Sequence, residues 1–253
     1  MAATLLVDLN TLRIGWLYPD LMNMYGDRGN IIALVRRARW RGVEVQVRDI
    51  GLGLAAGLEE IDLFFFGGGQ DKEQTLVYQD LLQYKAAALS RAHERQVVIL
   101  AVCGGYQLLA HHYETPDGKR LRGLGLIDAH TVGGAERLIG NAVVESEASL
   151  GLMPKTLVGF ENHSGRTWLG AGVRPLGRIL SGYGNNAQDG SEGAVSGNLI
   201  ATYLHGSLLP KNPHLVDWLL ERALGEALGP LQDEVEWDAH EAARARTMGR
   251  RSG

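Results

Sequence analysis

The sequence predicts an α/β fold: a doubly wound, mostly parallel sheet flanked by helices, with a β-rich second half. Two observations carry this. Through residue 110, strand-length apolar runs alternate with stretches of helical period, in the order β-α-β, β-α, β-turn-α. That alternation builds parallel sheets with right-handed crossovers. The run Val97–Val102 is also unbroken and apolar, as a strand covered on both faces is.

Taken in order, "TLRIGWLYP" (11–19) reads as the first strand, and "YPDLMNMYGDRGN" as a loop rich in turn formers. In "IIALVRRARWRG", Ile31, Leu34, Val35 and Ala38 share one helical face, and Gly42 suits the C-terminal cap. "VEVQVRDI" alternates as a strand does, and "IDLFFF" is a short buried strand ending in "GGGQD". "KEQTLVYQDLLQYKAAALSRAHER" reads as one long helix, followed by the Val97–Val102 strand and a helix over 106–112. In the second half, strands are expected at 124–127, 137–144, 156–160 and 198–203. "NPHLVDWLLERAL" is an amphipathic helix with Asn212 as its cap and Pro213 in its first turn. The Gly-rich segment 181–198 reads as a surface loop or hairpin. Residues 1–230 are expected to form a single domain, with 231–253 a charged C-terminal helix or tail.

Composition narrows the function. The chain has 253 residues, 45% apolar and 21% charged, with a formal charge of −4. This balance gives no reason to expect nucleic acid or an anionic membrane as partner. One cysteine makes no internal disulfide, and no Cys/His cluster has zinc spacing. The N-terminal segment is broken by Asp8, Asn10 and Arg13, unlike a signal peptide. No run approaches the roughly 18 apolar residues of a membrane helix. A reducing, cytoplasmic setting is expected, with no metal site.

The single cysteine lies in "VVILAVCGGYQLL" (97–109). Free cysteines are mostly small core residues, but Cys103 sits between a buried strand and a helix, followed by two glycines. That is the pattern of a nucleophile elbow, at the sheet edge where open α/β folds bind ligands. "FFFGGGQD" ends the preceding strand at the same edge. Its Gly68 and Gly69 N–H groups, with that of Gly104, are candidates for an oxyanion hole. A catalytic thiol needs an imidazole to take and return a proton. Of eight histidines, His205 in "IATYLHGSLLP" follows an apolar strand and is favoured; His163 in "FENHSGRT" is its rival. His111 and His112 are expected to point away from the elbow. Arg137 in "GGAERLIGN" is a candidate fork for a substrate carboxylate, and Gln107, on the helix leaving the elbow, is a second substrate-binding candidate.

Together "AVCGGYQ", "FFFGGGQD" and "YLHGS" resemble the class I glutamine amidotransferases, in particular the CobB/CobQ-like branch. "LYPDLMNMYGDRGNI" (17–31) and "GFENHSGRT" (159–167) look like the GatD-type subunits of lipid II isoglutaminyl synthases. The resemblance covers roughly residues 12 to 225. It implies a flavodoxin-like glutaminase domain that hydrolyses L-glutamine through a cysteinyl thioester, with Cys103 as nucleophile, His205 as base and Arg137 holding the α-carboxylate. It further implies a partner, the Mur-ligase-like ATPase MurT, which would bind ATP and Mg and use the ammonia to amidate the D-glutamate α-carboxyl of lipid II, giving D-isoglutamine. No cofactor is expected in this chain, which lacks a Gly-x4-Gly-Lys-Ser/Thr loop.

One departure from the wider class matters. His-x-Glu is common there, the glutamate orienting the imidazole; here the sequence is His205-Gly206-Ser207. Either another carboxylate of this chain folds in, or the third group comes from outside. The resemblance implies an aspartate of the partner. Two other readings remain at this point: a glutaminase serving another synthase, such as a cobyrinate-type amidase, and an inert scaffold that keeps the fold.

Overall fold

Five parallel strands of one sheet end level with one another, and that edge carries the functional residues. The computed structural model describes residues 11–69, 71–115, 117–205 and 208–249, with the side chains of 71–75 excepted. In the first sheet β1 (Thr11–Leu17), β2 (Glu44–Ile50), β3 (Leu63–Phe66), β4 (Val98–Val102) and β12 (Leu199–Thr202) are parallel, and β11 (Ala194–Ser196) adds an antiparallel edge. Their order across the sheet is β11-β12-β4-β3-β1-β2. Leu17 pairs with Phe66, Phe66 with Ala101, and Val102 with Thr202. The chain moves outward from β1 to β2 and in the opposite direction from β3 to β4, so right-handed crossovers put the connecting helices on opposite faces. The point of reversal, between β1 and β3, is where such sheets open a crevice.

The predicted fold class is the observed one. β3 and β4 are buried along their whole length, as their apolar runs require. α1 (Arg28–Trp40) buries Ile31, Leu34 and Ala38, with Arg37 beside them. Arg37 forms a bidentate pair with Asp217 and reaches Asp233, tying α1 to α5 (Pro213–Leu224). Gly42 turns the chain after α1 at φ +77°. The expected long helix is interrupted. α2 (Asp71–Asp80) passes through a π-turn at Leu81–Lys85 before α3 (Ala86–Glu94). The π-turn carries Lys85 inward, where its ammonium is fully buried against Asp80. Asp80 also accepts from the Tyr18 hydroxyl at 2.8 Å. The elbow helix α4 (Gly104–Leu109) is shorter than predicted.

The second half builds another sheet. Its spine is a long antiparallel ribbon of β7 (Ala129–Ser146) and β8 (Thr156–Leu169). β8 takes one edge of β7; on the opposite edge β5 (His112–Glu114), followed by β6 (Arg120–Arg122), pairs near its start, and β9 (Gly177–Ser181), followed by β10 (Ser191–Glu192), pairs near its end. Several expectations are corrected. Residues 124–127 form no strand; Leu124 and Leu126 donate their N–H groups to Leu108 and Leu109 carbonyls, so the segment closes over α4 instead. The Gly-rich 181–198 segment contains β10 and β11 and buries Asn185 and Asn186, which bond to main chain and neighbouring side chains. Asn212 does not cap α5; its amide brackets Val158, accepting from the N–H and donating to the carbonyl. The C-terminal segment forms α6 (Glu234–Gly249), pinned by buried His240, whose ring nitrogens meet the Lys211 carbonyl and the Thr156 hydroxyl. Among the described residues, no helix is long and apolar enough to cross a membrane.

The two sheets meet where the chain leaves β12 and enters β13 (Leu204–His205), which pairs with β8. Glu192 clamps this junction, accepting from the Tyr203 N–H at 2.8 Å and the Thr202 hydroxyl at 2.9 Å. Burial pushes its carboxyl from 4.5 up to about 8, and those hydrogen bonds only partly oppose it. The group therefore stays protonated at neutral pH in the fold, whereas the unfolded chain ionises it. The fold is favoured fully below the unfolded value, and this advantage is lost as pH rises from about 4.5 to about 8. Glu192→Gln, which keeps an acceptor and cannot ionise, should gain stability over the parent by a few kcal/mol on going from pH 5 to pH 8. Thermal melts at the two pH values measure it; an unchanged difference in Tm would refute the assignment.

Candidate active site

Cys103 leaves β4 with φ 50° and ψ −101°, a conformation that costs a non-glycine residue on the order of 1–3 kcal/mol. Its N–H donates to the Thr202 carbonyl on β12 at 2.8 Å, and its carbonyl accepts from the Gln107 N–H at 3.0 Å. The chain is thus held on both sides of the strained residue. Gly105 allows the tight packing that follows: a Cβ there would stand 2.6 Å from the Phe66 carbonyl oxygen. The elbow read from the sequence is present.

The Gly67–Gly69 turn follows β3 beside it. A Cβ on Gly68 would lie 2.5 Å from His205 Cε1 and 3.3 Å from Cys103 Cβ. Only a bare backbone fits between the imidazole and the thiol-bearing carbon. The predicted pair is therefore brought together, with His205 fully buried and Cys103 8% exposed. The His205 Nδ1 lies 3.2 Å from Asp27 Oδ1, and the other Asp27 oxygen accepts from the Gly68 N–H at 2.8 Å. Burial alone would lower the His205 pKa, but the Cys103 thiolate and the Asp27 carboxylate outweigh it and raise the pKa to about 10. The arrangement can hold a thiolate–imidazolium pair.

Of the two sources considered for a carboxylate behind the imidazole, a carboxylate of this chain, Asp27, stands at His205 Nδ1. Ser207 lies outside the described residues. The Gly68 N–H, expected in an oxyanion hole, is occupied by Asp27. The Gly104 N–H, at the first position of α4, has no helical acceptor and remains suited to that role. Gly69 packs against Met22, whose Sδ would sit 2.3 Å from a Cβ there.

Arg137 lies in an irregular stretch of β7, where pairing with β8 breaks between Gly133 and Leu138. The bulge aims its exposed guanidinium at Asn162, with Nε donating to Oδ1 at 2.8 Å and Nη2 to the main-chain carbonyl at 2.9 Å. Nη2 also lies 3.4 Å from the Tyr25 hydroxyl, and the Tyr25 ring stands edge-on to His205 with centroids 5.1 Å apart. Arg137 and His205 thus border one site. Gln107 is 4% exposed, and its amide nitrogen donates to the Tyr203 hydroxyl at 3.2 Å. His163 is not placed as a base. It is buried, stacked on Tyr203 at 3.7 Å, and its Nδ1 bonds to the Gly165 carbonyl. Burial holds its pKa at about 3, so it stays neutral. His111 pairs with Asp128, and His112 enters β5; neither joins the site. Among the described residues, no group of three His, Cys, Asp or Glu side chains could hold a metal ion.

Asp27 was missed by sequence reasoning because 178 positions separate it from His205. The available signal was its place in the distinctive 17–31 stretch. Residues 13–213 match the model of the CobB/CobQ-like glutamine amidotransferase domain. The chain is 45% identical over 215 residues to the GatD subunit of the glutamine-hydrolysing lipid II isoglutaminyl synthase of Staphylococcus aureus strain N315, covering 85% of each. It is 37% identical over 231 residues to the GatD subunit of Streptococcus pneumoniae strain R6, covering 91% of this chain and 86% of that one. Among solved structures, a glutamine amidotransferase superposes with a TM-score of 0.59 at 20% identity, over 83% of this chain and 98% of the other; that likeness concerns the fold. The chain belongs to the CobB/CobQ-like glutamine amidotransferase family, within its GatD branch.

Proposed function

We propose that this chain is the glutaminase subunit of a two-chain amidotransferase acting on lipid II, with Cys103 as nucleophile and His205 as proton carrier. The observation that carries this reading is the strained Cys103 facing His205 across Gly68. The thiolate attacks the side-chain amide carbon of L-glutamine, and the carbonyl π electrons move to oxygen. The Gly104 N–H is placed to receive that oxyanion. As the C–N bond breaks, the His205 imidazolium gives its proton to the leaving nitrogen, releasing ammonia and a γ-glutamyl thioester. His205, now neutral, takes a proton from water as its oxygen attacks the thioester, and glutamate leaves with the thiolate restored.

Arg137 anchors the substrate α-carboxylate in this reading, and Gln107 steadies the floor of the site through Tyr203. Ammonia then passes to a MurT-like, ATP- and Mg-dependent synthase that amidates the D-glutamate α-carboxyl, in the cytoplasm. The 45% identity to a GatD subunit supports this acceptor over a cobyrinate-type one.

Cys103→Ala should lower glutamine hydrolysis by about 10⁴ or more while leaving ammonium-driven amidation by the complex intact. Coupled assays with glutamine or ammonium chloride separate the two activities; normal glutamine-dependent turnover in the variant would overturn the reading. Arg137→Ala removes a charged hydrogen bond worth roughly 1.5–3 kcal/mol, so KM for glutamine should rise about ten- to a hundredfold. An unchanged KM would move the carboxylate anchor elsewhere.

A further inference from the structure

We infer that the groove between α1 and the edge strand β2 is where the synthase partner docks an acidic, amphipathic helix. The inference rests on the two-chain reading above. β2 is the outer strand of the first sheet. Val47 and Asp49 pair in register with Ile14 and Trp16, so all four share one face of the sheet. α1 covers that face incompletely. Arg37, clasped by Asp217, ties the helix to α5 on its other side. Ile14 and Trp16 are buried, whereas Val47 is 39% exposed and Ile32 of α1 is 51% exposed. Between helix and strand lies a groove of about 520 Å³, lined by Trp16, Ile32, Val35 and Val47 among others.

Its charge is one-sided. Arg28, Ile32, Val35 and Arg39 recur at i, i+4, i+7 and i+11, which makes one stripe along α1, apolar in the middle and cationic at both ends. Arg36 also lines the groove, against one carboxylate, Asp49. The arginines of this helix fall into two sets. Arg37 is buried and paired with Asp217 and Asp233, and Arg41, just past the helix, joins the same cluster. Arg28, Arg36 and Arg39 form no ion pair among the described residues. Arg28 also stands at the positive end of the α1 dipole, and the first turn holds no acidic residue. The Asp27 carboxylate before it is turned to His205 and Gly68.

The chemistry of the occupant follows. Scattered exposed apolar residues need no explanation, but this strip is continuous and bracketed by unpaired cations. A partner must lay an apolar side on Ile32, Val35 and Val47 and bring carboxylates to both ends, about 16 Å apart along the axis of α1. A second helix, bedded on the sheet face beside α1, meets both needs. The location agrees. Arg28 follows Asp27, and Trp16 and Asp49 are the penultimate residues of β1 and β2, so the groove opens beside the catalytic edge. A synthase that receives ammonia at that edge reaches the groove in the same contact.

The test measures binding of the full-length chain to its MurT-like synthase. The parent is compared with Arg36→Glu/Arg39→Glu, with Arg36→Lys/Arg39→Lys and with Ile32→Asp. These side chains are exposed, so fold and glutamine hydrolysis by the isolated chain should be unchanged. Kd, from isothermal titration, should rise at least about tenfold in the glutamate pair and in Ile32→Asp, because each sets like charges against the acidic helix. The lysine pair, which keeps the charge, should bind within about threefold of the parent. Added salt should weaken the parent complex and affect the glutamate pair far less. Amide hydrogen exchange over 28–40 and 44–50 should slow on assembly. Parent-like affinity and salt dependence in the glutamate pair, or no new protection over 28–40, would overturn the inference. So would a parent that binds no synthase. A concentration-dependent dimer of the isolated parent, abolished by Ile32→Asp with synthase affinity unchanged, would assign the groove to a second copy of this chain instead. Failure of the glutaminase reading is separately visible as a complex that assembles but hydrolyses no glutamine; the binding data still judge the groove in that case.

Discussion

The backbone of Cys103 is the constraint on which the site depends. A residue at φ 50° and ψ −101° persists only if its neighbours over-determine it. Here β12 holds its N–H, α4 holds its carbonyl, and Gly105 lets the helix pack down on Phe66. The strain is local, about the size of one or two ordinary mutations, and the fully buried strands β3 and β4 absorb it. Because the chain turns so sharply, the thiol stands at the end of its strand beside His205, with 8% of the residue exposed. The remaining parts are then arranged around a fixed point. His205 arrives from the strand that crosses between the sheets, and the glycine turn comes from the neighbouring strand.

Electrostatics at this edge follows from burial. Cys103, His205 and Asp27 are all nearly excluded from water, so the charge on His205 depends on its neighbours. The imidazolium is stable because two anions flank it, and their pull exceeds the cost of desolvation. His163, almost as buried and lacking an anionic neighbour, is driven the other way. The same physics thus separates two histidines that look alike in sequence, one a proton carrier and one a neutral packing ring against Tyr203.

Much of this was legible in the sequence, for identifiable reasons. The apolar runs at 61–66 and 97–102 have a strand's length and composition, and Cys-Gly-Gly after the second could mark only a turn. His205 was legible as a histidine after an apolar strand, whereas Arg137, expected to open a strand at 137–144, stands in an irregular stretch within the longer β7. Harder to read was anything set by distant chain. Asp27 looks like a helix cap, and its diversion is visible only when the glycine turn lies against it. Gly68 looked like an oxyanion donor because its N–H is exposed in a bare turn; the aspartate that occupies it comes from another loop. The π-turn at 81–85 goes with the buried Lys85–Asp80 pair, which helical periodicity does not encode. Segment 124–127 has strand-like residues but finds its hydrogen bonds on α4.

The chemistry of the site rests on the Cys103 sulfur being the atom that meets glutamine. Intact-mass and peptide analysis after exposure to a chloroketone analogue of glutamine tests this most directly. A single adduct on the peptide carrying Cys103, forming in step with loss of glutamine hydrolysis and slowed by excess L-glutamine, is the predicted result. Loss of hydrolysis with Cys103 unmodified would contradict it.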